Sequence, residues 1–544
     1  MFIFGFQART GSTQSPSSPV HTLQMTLDMD MLKNLPYLEQ LLDLIKEWEE
    51  WLPTSLTGRA VLLGSGVGVA VYLITKKRYK LPPGPRGWPL LGNLLEFRNA
   101  SIYEKLTDWK AQYGPVVRFN IGPMTMVALN NIDVVLEALV KRQADFAGRP
   151  QTYTMLLLSD GGKNIVFGDY SPTWKQHRKL ATKALKHYMT GTRLDQGIER
   201  SLTKGIQLIQ EMKGPFNPHD IVSLIVFNII NNICFSVTCD VHDNYFKEMV
   251  HVLNSFLDIG NGFLEDVIPP LRLFHTQKLK TIMKEVLKFM GNLNEEIDKH
   301  RQTVSKDNIR DFCDALLLAQ EEARDEEDPE VMSQMTDGHI TQTLSDIFSA
   351  GMDTSRYTLL WTLLELAQHP DIQDKLHTEV DRALGARHFP IVSDRSSLPY
   401  TDAVLHESMR FHTVVPSGLP HKTLCDTKVG GYDIPKGTTV FINHYALHRD
   451  AEQWRDPQVY NPDRFLDHDG KMAAKPESWL PFSAGRRVCL GESVAKPELH
   501  LLLAGIMRHF KVSLPPGAKV NLKPRGGSVA NVPQHYELNF ESRL

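Results

Sequence analysis

Phe482-Ser483-Ala484-Gly485-Arg486-Arg487-Val488-Cys489-Leu490-Gly491 is the stretch from which the rest of the chain is read. It frames one cysteine with two glycines, an aromatic ring and a pair of arginines. Gly485 and Gly491 permit a tight backbone whose N–H groups point at the sulfur and keep it deprotonated, as an anionic axial ligand must be. That is how a chain presents a thiolate to a haem iron. Phe482 can shield the sulfur, and Arg487 can reach a haem propionate. The other cysteines, Cys234, Cys239, Cys313 and Cys425, are scattered without metal-type CxxC spacing, which suits a reducing compartment.

Three further motifs stand upstream. Ala350-Gly351-Met352-Asp353-Thr354 lies inside a mostly apolar stretch from Ile340 to Leu366, which predicts one buried helix. Its small residues let a flat cofactor and dioxygen approach the backbone. Thr354 can back-bond to the Ala350 carbonyl, a pattern that bends helices and opens a groove. Asp353 and Thr354 are then the candidate catalytic pair, a relay for the proton that heterolytic O–O cleavage requires. In Glu407-Ser408-Met409-Arg410 the carboxylate and guanidinium are spaced i, i+3 and share a helix face. Pro462-Asp463-Arg464-Phe465 supplies another arginine.

The four motifs, in this order, resemble those of the cytochrome P-450 superfamily, whose Phe-x-x-Gly-x-Arg-x-Cys-x-Gly loop is matched at every fixed position. The resemblance implies the cytochrome P-450 fold, mainly α with small β-sheets, and a haem-thiolate monooxygenase of microsomal type with Cys489 as the iron ligand. It implies that Arg464 joins Glu407 and Arg410 in a buried ionic cluster. It also implies that Trp174 and Arg178, in Trp-Lys-Gln-His-Arg, and His421 contact the propionates. No Gly-x-Gly-x-x-Gly fingerprint follows a strand, so electrons come from a separate protein. By resemblance that partner is the NADPH-dependent flavoprotein reductase, with cytochrome b5 as a second candidate. Pro497, eight residues beyond Cys489, departs from the pattern. Proline costs about 3 kcal/mol in a helix interior, so the helix from Glu492 to Phe510 is expected to kink or start late.

The 544 residues carry 60 Lys and Arg against 63 Asp and Glu, a net charge of −3 that argues against a nucleic-acid partner. No linker or repeat divides the chain after Leu81, which predicts an N-terminal segment (1–59), a membrane anchor with its basic flank (60–80) and one monooxygenase domain (81–544). Ala60 to Thr75 is uncharged and apolar-rich; as a helix it reaches about 24 Å against a hydrocarbon core of about 30 Å, so spanning requires its flanking cations to snorkel. Lys76-Lys77-Arg78 follow it and acidic residues precede it, which predicts a single-pass protein with the catalytic domain on the cytosolic side, and the microsomal-type resemblance implies that the membrane is that of the endoplasmic reticulum. Leu38, Leu41, Leu42, Ile45, Trp48 and Leu52 fall at helical spacing upstream. Leu81-Pro82-Pro83-Gly84-Pro85 is a stiff hinge.

Elsewhere helices dominate. β-like runs occur at Val116-Asn120, Met124-Leu129, Lys428-Ile434 and Thr438-Asn443, and the acidic run from Glu321 to Glu330 reads as a solvated loop. Within the superfamily, segments such as Asp346-Ile347-Phe348 and Ala446-Leu447-His448 look most like the steroid 17α-hydroxylating, 17,20-cleaving branch. Gly148-Arg149-Pro150-Gln151 and Asp394-Arg395-Ser396-Ser397 look equally like aromatic-hydrocarbon and xenobiotic oxidisers. Asn228, polar on an apolar helix, either meets a steroid oxygen or is satisfied within the core. A non-enzymatic haem sensor needs only the cysteine loop; the Asp353-Thr354 pair argues against it.

Overall fold

The apolar run after Thr336 forms one uninterrupted helix of 32 residues, Asp337–Gln368. The computed structural model describes residues 79–544 apart from 99, 190–191, 260–263 and 526–529. Helices of 12 residues or more are, in chain order, α1 (Ile102–Tyr113), α2 (Pro172–Tyr188), α3 (Arg193–Glu211), α4 (His219–Phe235), α5 (Asn244–Ile259), α6 (Gln277–Thr303), α7 (Phe312–Glu326), α8 (Asp337–Gln368), α9 (Pro370–Leu384), α10 (Pro399–His412) and α11 (Glu492–His509). Helix α4 is buried from Ile221 to Phe235 because it is apolar on every side. It packs against α3, α7 and α8, while α8 also meets α6, α9, α10 and α11. The largest core cluster lies among these helices, with Phe227, Phe348 and Trp361 fully enclosed.

The sheets are small. Strands β1 (Val116–Ile121), β2 (Met124–Leu129), β3 (His421–Lys422) and β6 (Thr439–Ile442) form a sheet in the order β1-β2-β6-β3, parallel only between β2 and β6. The run expected as one strand from Lys428 to Ile434 is instead a hairpin, β4 (Thr427–Val429) and β5 (Tyr432–Ile434). Gly430 and Gly431, both at positive φ, turn the chain between them. Strands β7 (Phe510–Ser513) and β8 (Asn539–Ser542) pair near the C-terminus.

Two other expectations are corrected. The acidic run is helical: it covers the last turns of α7 and enters a short helix, Pro329–Ser333, capped by Asp328. Glutamate is a good helix former, and Glu322 and Glu327 pair with Lys183 and Lys179 of α2. Helix α11 starts at Glu492 rather than late and carries Pro497 in its interior. Residues 79–87 have no regular structure, but Pro83 accepts from the Arg118 amide at 2.8 Å and so lies along β1. The amphipathic helix expected from the spacing of Leu38 to Leu52, and the apolar stretch Ala60 to Thr75, fall outside the described residues. Among the described residues no helix is long and apolar enough to cross a membrane.

Candidate active site

The cysteine loop closes on itself: the Cys489 amide donates to the Phe482 carbonyl at 3.0 Å around the short turn Gly485–Arg487. Gly485 is obligatory, because its φ is +71° and a Cβ there would sit 1.9 Å from the Leu139 carbonyl oxygen. Gly491 has an ordinary φ of −82°, so it is not required for backbone freedom. Cys489 is exposed as a residue and lines a groove of about 410 Å³ with Arg395, Glu492, Lys496 and Pro497. Burial by the surrounding protein pushes the thiol pKa up; the Gly491 and Glu492 amides and the Arg178 charge act the other way. Phe482 lies under the Lys496 ammonium, 5.2 Å from ring centre to nitrogen, and edge-on to Trp479.

Trp174 and Arg178 sit on α2, whose start is fixed by the Ser171 cap and Pro172. The Trp174 indole donates to the Ile165 carbonyl at 2.9 Å, and Arg178 Nη2 donates to the Val488 carbonyl at 2.6 Å, beside the cysteine. Arg487 donates to the carbonyls of Ala147, Ile165 and Gly168 and stacks 3.8 Å over the Trp174 ring. His421, on β3, bonds through Nδ1 to the Phe146 carbonyl at 2.8 Å. The structure thus brings together residues spread over three hundred positions of the chain.

It also adds one that sequence reading missed. Arg149 is buried, and its guanidinium donates to the carbonyls of Val166, Leu419 and Pro420. Only its place between Gly148 and Pro150 could have drawn attention to it.

Charge decides whether a haem fits here. Burial, then Arg149 and Arg178, push Arg487 well below the ordinary guanidinium value. Arg149 is lowered by burial and Arg178, and His421 by burial, Arg149 and Arg487. The nearby carboxylate, Asp169, is already paired with Lys422. Guanidinium groups remain charged in proteins, so the cluster is a concentration of buried positive charge whose side-chain hydrogen bonds go to carbonyls and which Asp169, shared with Lys422, offsets only in part. A planar group bearing two carboxylates fits it.

Helix α8 contributes a face. Ile347, Ala350, Gly351 and Thr354 recur at i, i+3, i+4 and i+7 and are accessible, whereas most of the helix is buried. Thr354 makes the expected back-bond, donating to the Ala350 carbonyl at 2.7 Å. Gly351 also serves packing: a Cβ there would press on Ile230 of α4 at 3.0 Å. Asp353 points elsewhere, since successive residues differ by about 100° around a helix. Its carboxylate is buried 2.8 Å from Arg356 Nη2, and burial raises its pKa to about 6. Asn228 is spent in the core, exchanging hydrogen bonds with the backbone of Cys239 at 2.7 and 3.0 Å.

Behind the site, Arg410 grips Glu407 with two bonds of 2.7 Å, and Arg464 reaches the same carboxylate at 3.2 Å. All three side chains are enclosed or nearly so.

With this geometry in view, the chain matches the family described as Cytochrome P450 over residues 82–540. It is 35% identical to steroid 17-alpha-hydroxylase/17,20 lyase of Squalus acanthias, covering 80% of this chain and 87% of that protein. It is 32% identical to cytochrome P450 1A1 of Homo sapiens, covering 90% and 99%, and 33% identical to cytochrome P450 1A5 of Gallus gallus, covering 87% and 93%. The chain belongs to the cytochrome P450 family and is a haem-dependent monooxygenase.

Proposed function

We propose that Cys489 is the axial ligand, that Arg149, Trp174, Arg178, His421 and Arg487 surround the haem carboxylates, and that Phe482 covers the sulfur. The observation that carries this reading is the positive charge that Asp169 offsets only in part, which Arg178 makes contiguous with the cysteine. When bound, haem supplies reductive activation of dioxygen and transfer of one oxygen atom to substrate, the other leaving as water. The chain contributes the rest. Two amides and Arg178 favour the thiolate against burial and the Glu492 charge, and the charge of a bound metal would offset the remaining cost. Thr354 holds a hydroxyl on the open face of α8, its direction set by Ala350. Asp353, whose carboxyl burial raises to about 6, serves as the proton reservoir of the relay.

The substrate is read as a steroid hydroxylated at carbon 17, with 17,20 cleavage as a second step on the same site. Sequence likeness to a relative named for that activity supports this. An aromatic-hydrocarbon or xenobiotic substrate is the second reading, supported by the resemblance of the segments Gly148-Arg149-Pro150-Gln151 and Asp394-Arg395-Ser396-Ser397 to oxidisers of that class. Titration with progesterone, pregnenolone and planar polycyclic aromatics, followed as a haem spin-state shift and by product analysis, separates them. The steroids should shift the spectrum and be oxidised at carbon 17; a response to the aromatics alone overturns the steroid reading.

The proposed architecture is an N-terminal segment 1–59, an anchor with basic flank at 60–80 and the catalytic domain 81–544. The domain then faces the cytosol from the endoplasmic reticulum membrane. Electrons reach it from an NADPH-dependent flavoprotein reductase, with cytochrome b5 as a further donor. Protease added to intact microsomes should digest the domain, and full protection would contradict this topology.

A further inference from the structure

Asp346 lies one helical turn before Ala350 on α8, buried, and carries no role in the chemistry above. Its Oδ2 accepts from the Ile165 amide at 2.7 Å and the Val166 amide at 3.2 Å, and its Oδ1 from the Asn164 side chain at 3.4 Å. The loop that supplies these donors turns its carbonyls the other way. Ile165 O accepts from Trp174 Nε1 at 2.9 Å and Arg487 Nη1 at 3.2 Å. Val166 O accepts from Arg149 Nε at 3.0 Å, and Gly168 O from Arg487 Nη2 at 2.8 Å.

One peptide unit is shared by both sides. The bond between residues 165 and 166 presents its N–H to Asp346 and its C=O to Trp174 and Arg487. Its dipole therefore runs from a carboxylate to a guanidinium, the orientation in which each charge strengthens the other's hydrogen bond. Asn164 locks the loop further, its Oδ1 accepting from the Phe167 amide at 3.2 Å.

We infer that Asp346 is a positioning residue: through the 165–166 peptide it fixes Trp174 and Arg487, and by ordering the loop it fixes the Val166 carbonyl that holds Arg149, where the haem carboxylates are held. The inference rests on the reading of the cationic cluster given above. It assigns the loop 164–168 a function as an adaptor between α8 and that cluster. Burial pushes the Asp346 carboxyl up to about 7, with the three loop donors holding it lower than burial alone would, so its charged form is best examined at alkaline pH.

The test uses the haem-loaded protein at pH 8 with two readouts: hydrogen exchange of the Ile165 and Val166 amides, and the rate of haem transfer to excess apomyoglobin. Asp346→Asn keeps the shape and removes the charge. Exchange at both amides should rise about tenfold, and haem loss should accelerate several-fold, as expected when a charged acceptor is lost. Core amides of α4 should keep their protection, which a merely destabilised fold would not allow. Arg487→Lys, which loses the guanidinium fork, should also accelerate haem loss. If it does while Asp346→Asn leaves both rates within twofold of the parent, the inference is wrong and the cluster stands. If Arg487→Lys leaves haem loss unchanged, the reading of the cluster falls, and the inference with it. Should Asp346→Asn not fold, Asn164→Ala removes one donor of the same network and should accelerate exchange at Ile165 and Val166 to a smaller degree; unchanged exchange overturns the inference.

Discussion

Two clusters of buried arginine lie in this fold, and they are opposite in kind. Around Glu407 the chain supplies its own counter-charge: Arg410 and Arg464 share one carboxylate and fill their remaining donors with the carbonyls of residues such as His448 and Pro457. Around Arg487 the chain supplies guanidiniums and an imidazole but only carbonyl oxygens to receive them. A fold can bury charge for its own stability only where the partner is built in. Where the chain supplies too little counter-charge, buried charge can be held ready for a ligand, so the first cluster is architecture and the second is the proposed binding site.

The contrast is broken or sharpened by perturbing each side. Glu407→Gln strands two guanidiniums and should lower stability by about 3–5 kcal/mol, in apoprotein and haem-loaded protein alike. Denaturant unfolding measures it; a loss confined to the loaded form would make this cluster part of the site instead. Within α8 the contrast recurs between Asp353, paired with Arg356, and Thr354 on the open face. Thr354→Ala should preserve haem and substrate binding while lowering product per electron pair about a hundredfold, the missing equivalents appearing as hydrogen peroxide. Tight coupling in this variant would remove Thr354 from the relay.

Arg487→Leu should have the reverse signature of Glu407→Gln. The apoprotein keeps its stability or gains some, because a buried charge offset only in part is gone, while haem loss accelerates about tenfold to a hundredfold. An apoprotein as weakened as the Glu407 variant would erase the distinction between the clusters. The smallest effect concerns pH. Burial raises Asp353 from 3.8 to about 6, so the folded state binds its proton more tightly than the unfolded chain does. The associated stability is present below pH 4 and is lost as pH rises through 6. Asp353→Asn should flatten that part of the apoprotein's stability curve, and an unchanged slope would show that the carboxyl is not raised.

Much of this was legible in the chain because it is local. The loop around Cys489, the helix around Thr354 and the i, i+3 pair of Glu407 and Arg410 each carry their geometry within a few residues, and α8 ends within a turn of the expected bounds. Arg149 and Asp346 were not legible. Their partners are backbone groups, some of them 181 and 271 positions away, and a carbonyl or an amide leaves no mark in a sequence. The same holds for Gly351, whose smallness is explained by Ile230 on another helix, and for Asn228, satisfied by the Cys239 backbone. The acidic run misled because charge signals exposure but not backbone state, and glutamates on an exposed helix meet both conditions.

The account turns on the sulfur beside the cationic cluster, and the absorption spectrum of the reduced carbon monoxide complex reads that sulfur directly. The parent protein should show the red-shifted band that a thiolate opposite carbon monoxide produces, and Arg487→Leu should show it in whatever fraction still retains haem. Cys489→Ala should lose the band completely. Persistence of the band in Cys489→Ala would contradict the assignment of Cys489 as the ligand and, with it, the placement of the haem against Arg149, Arg178 and Arg487.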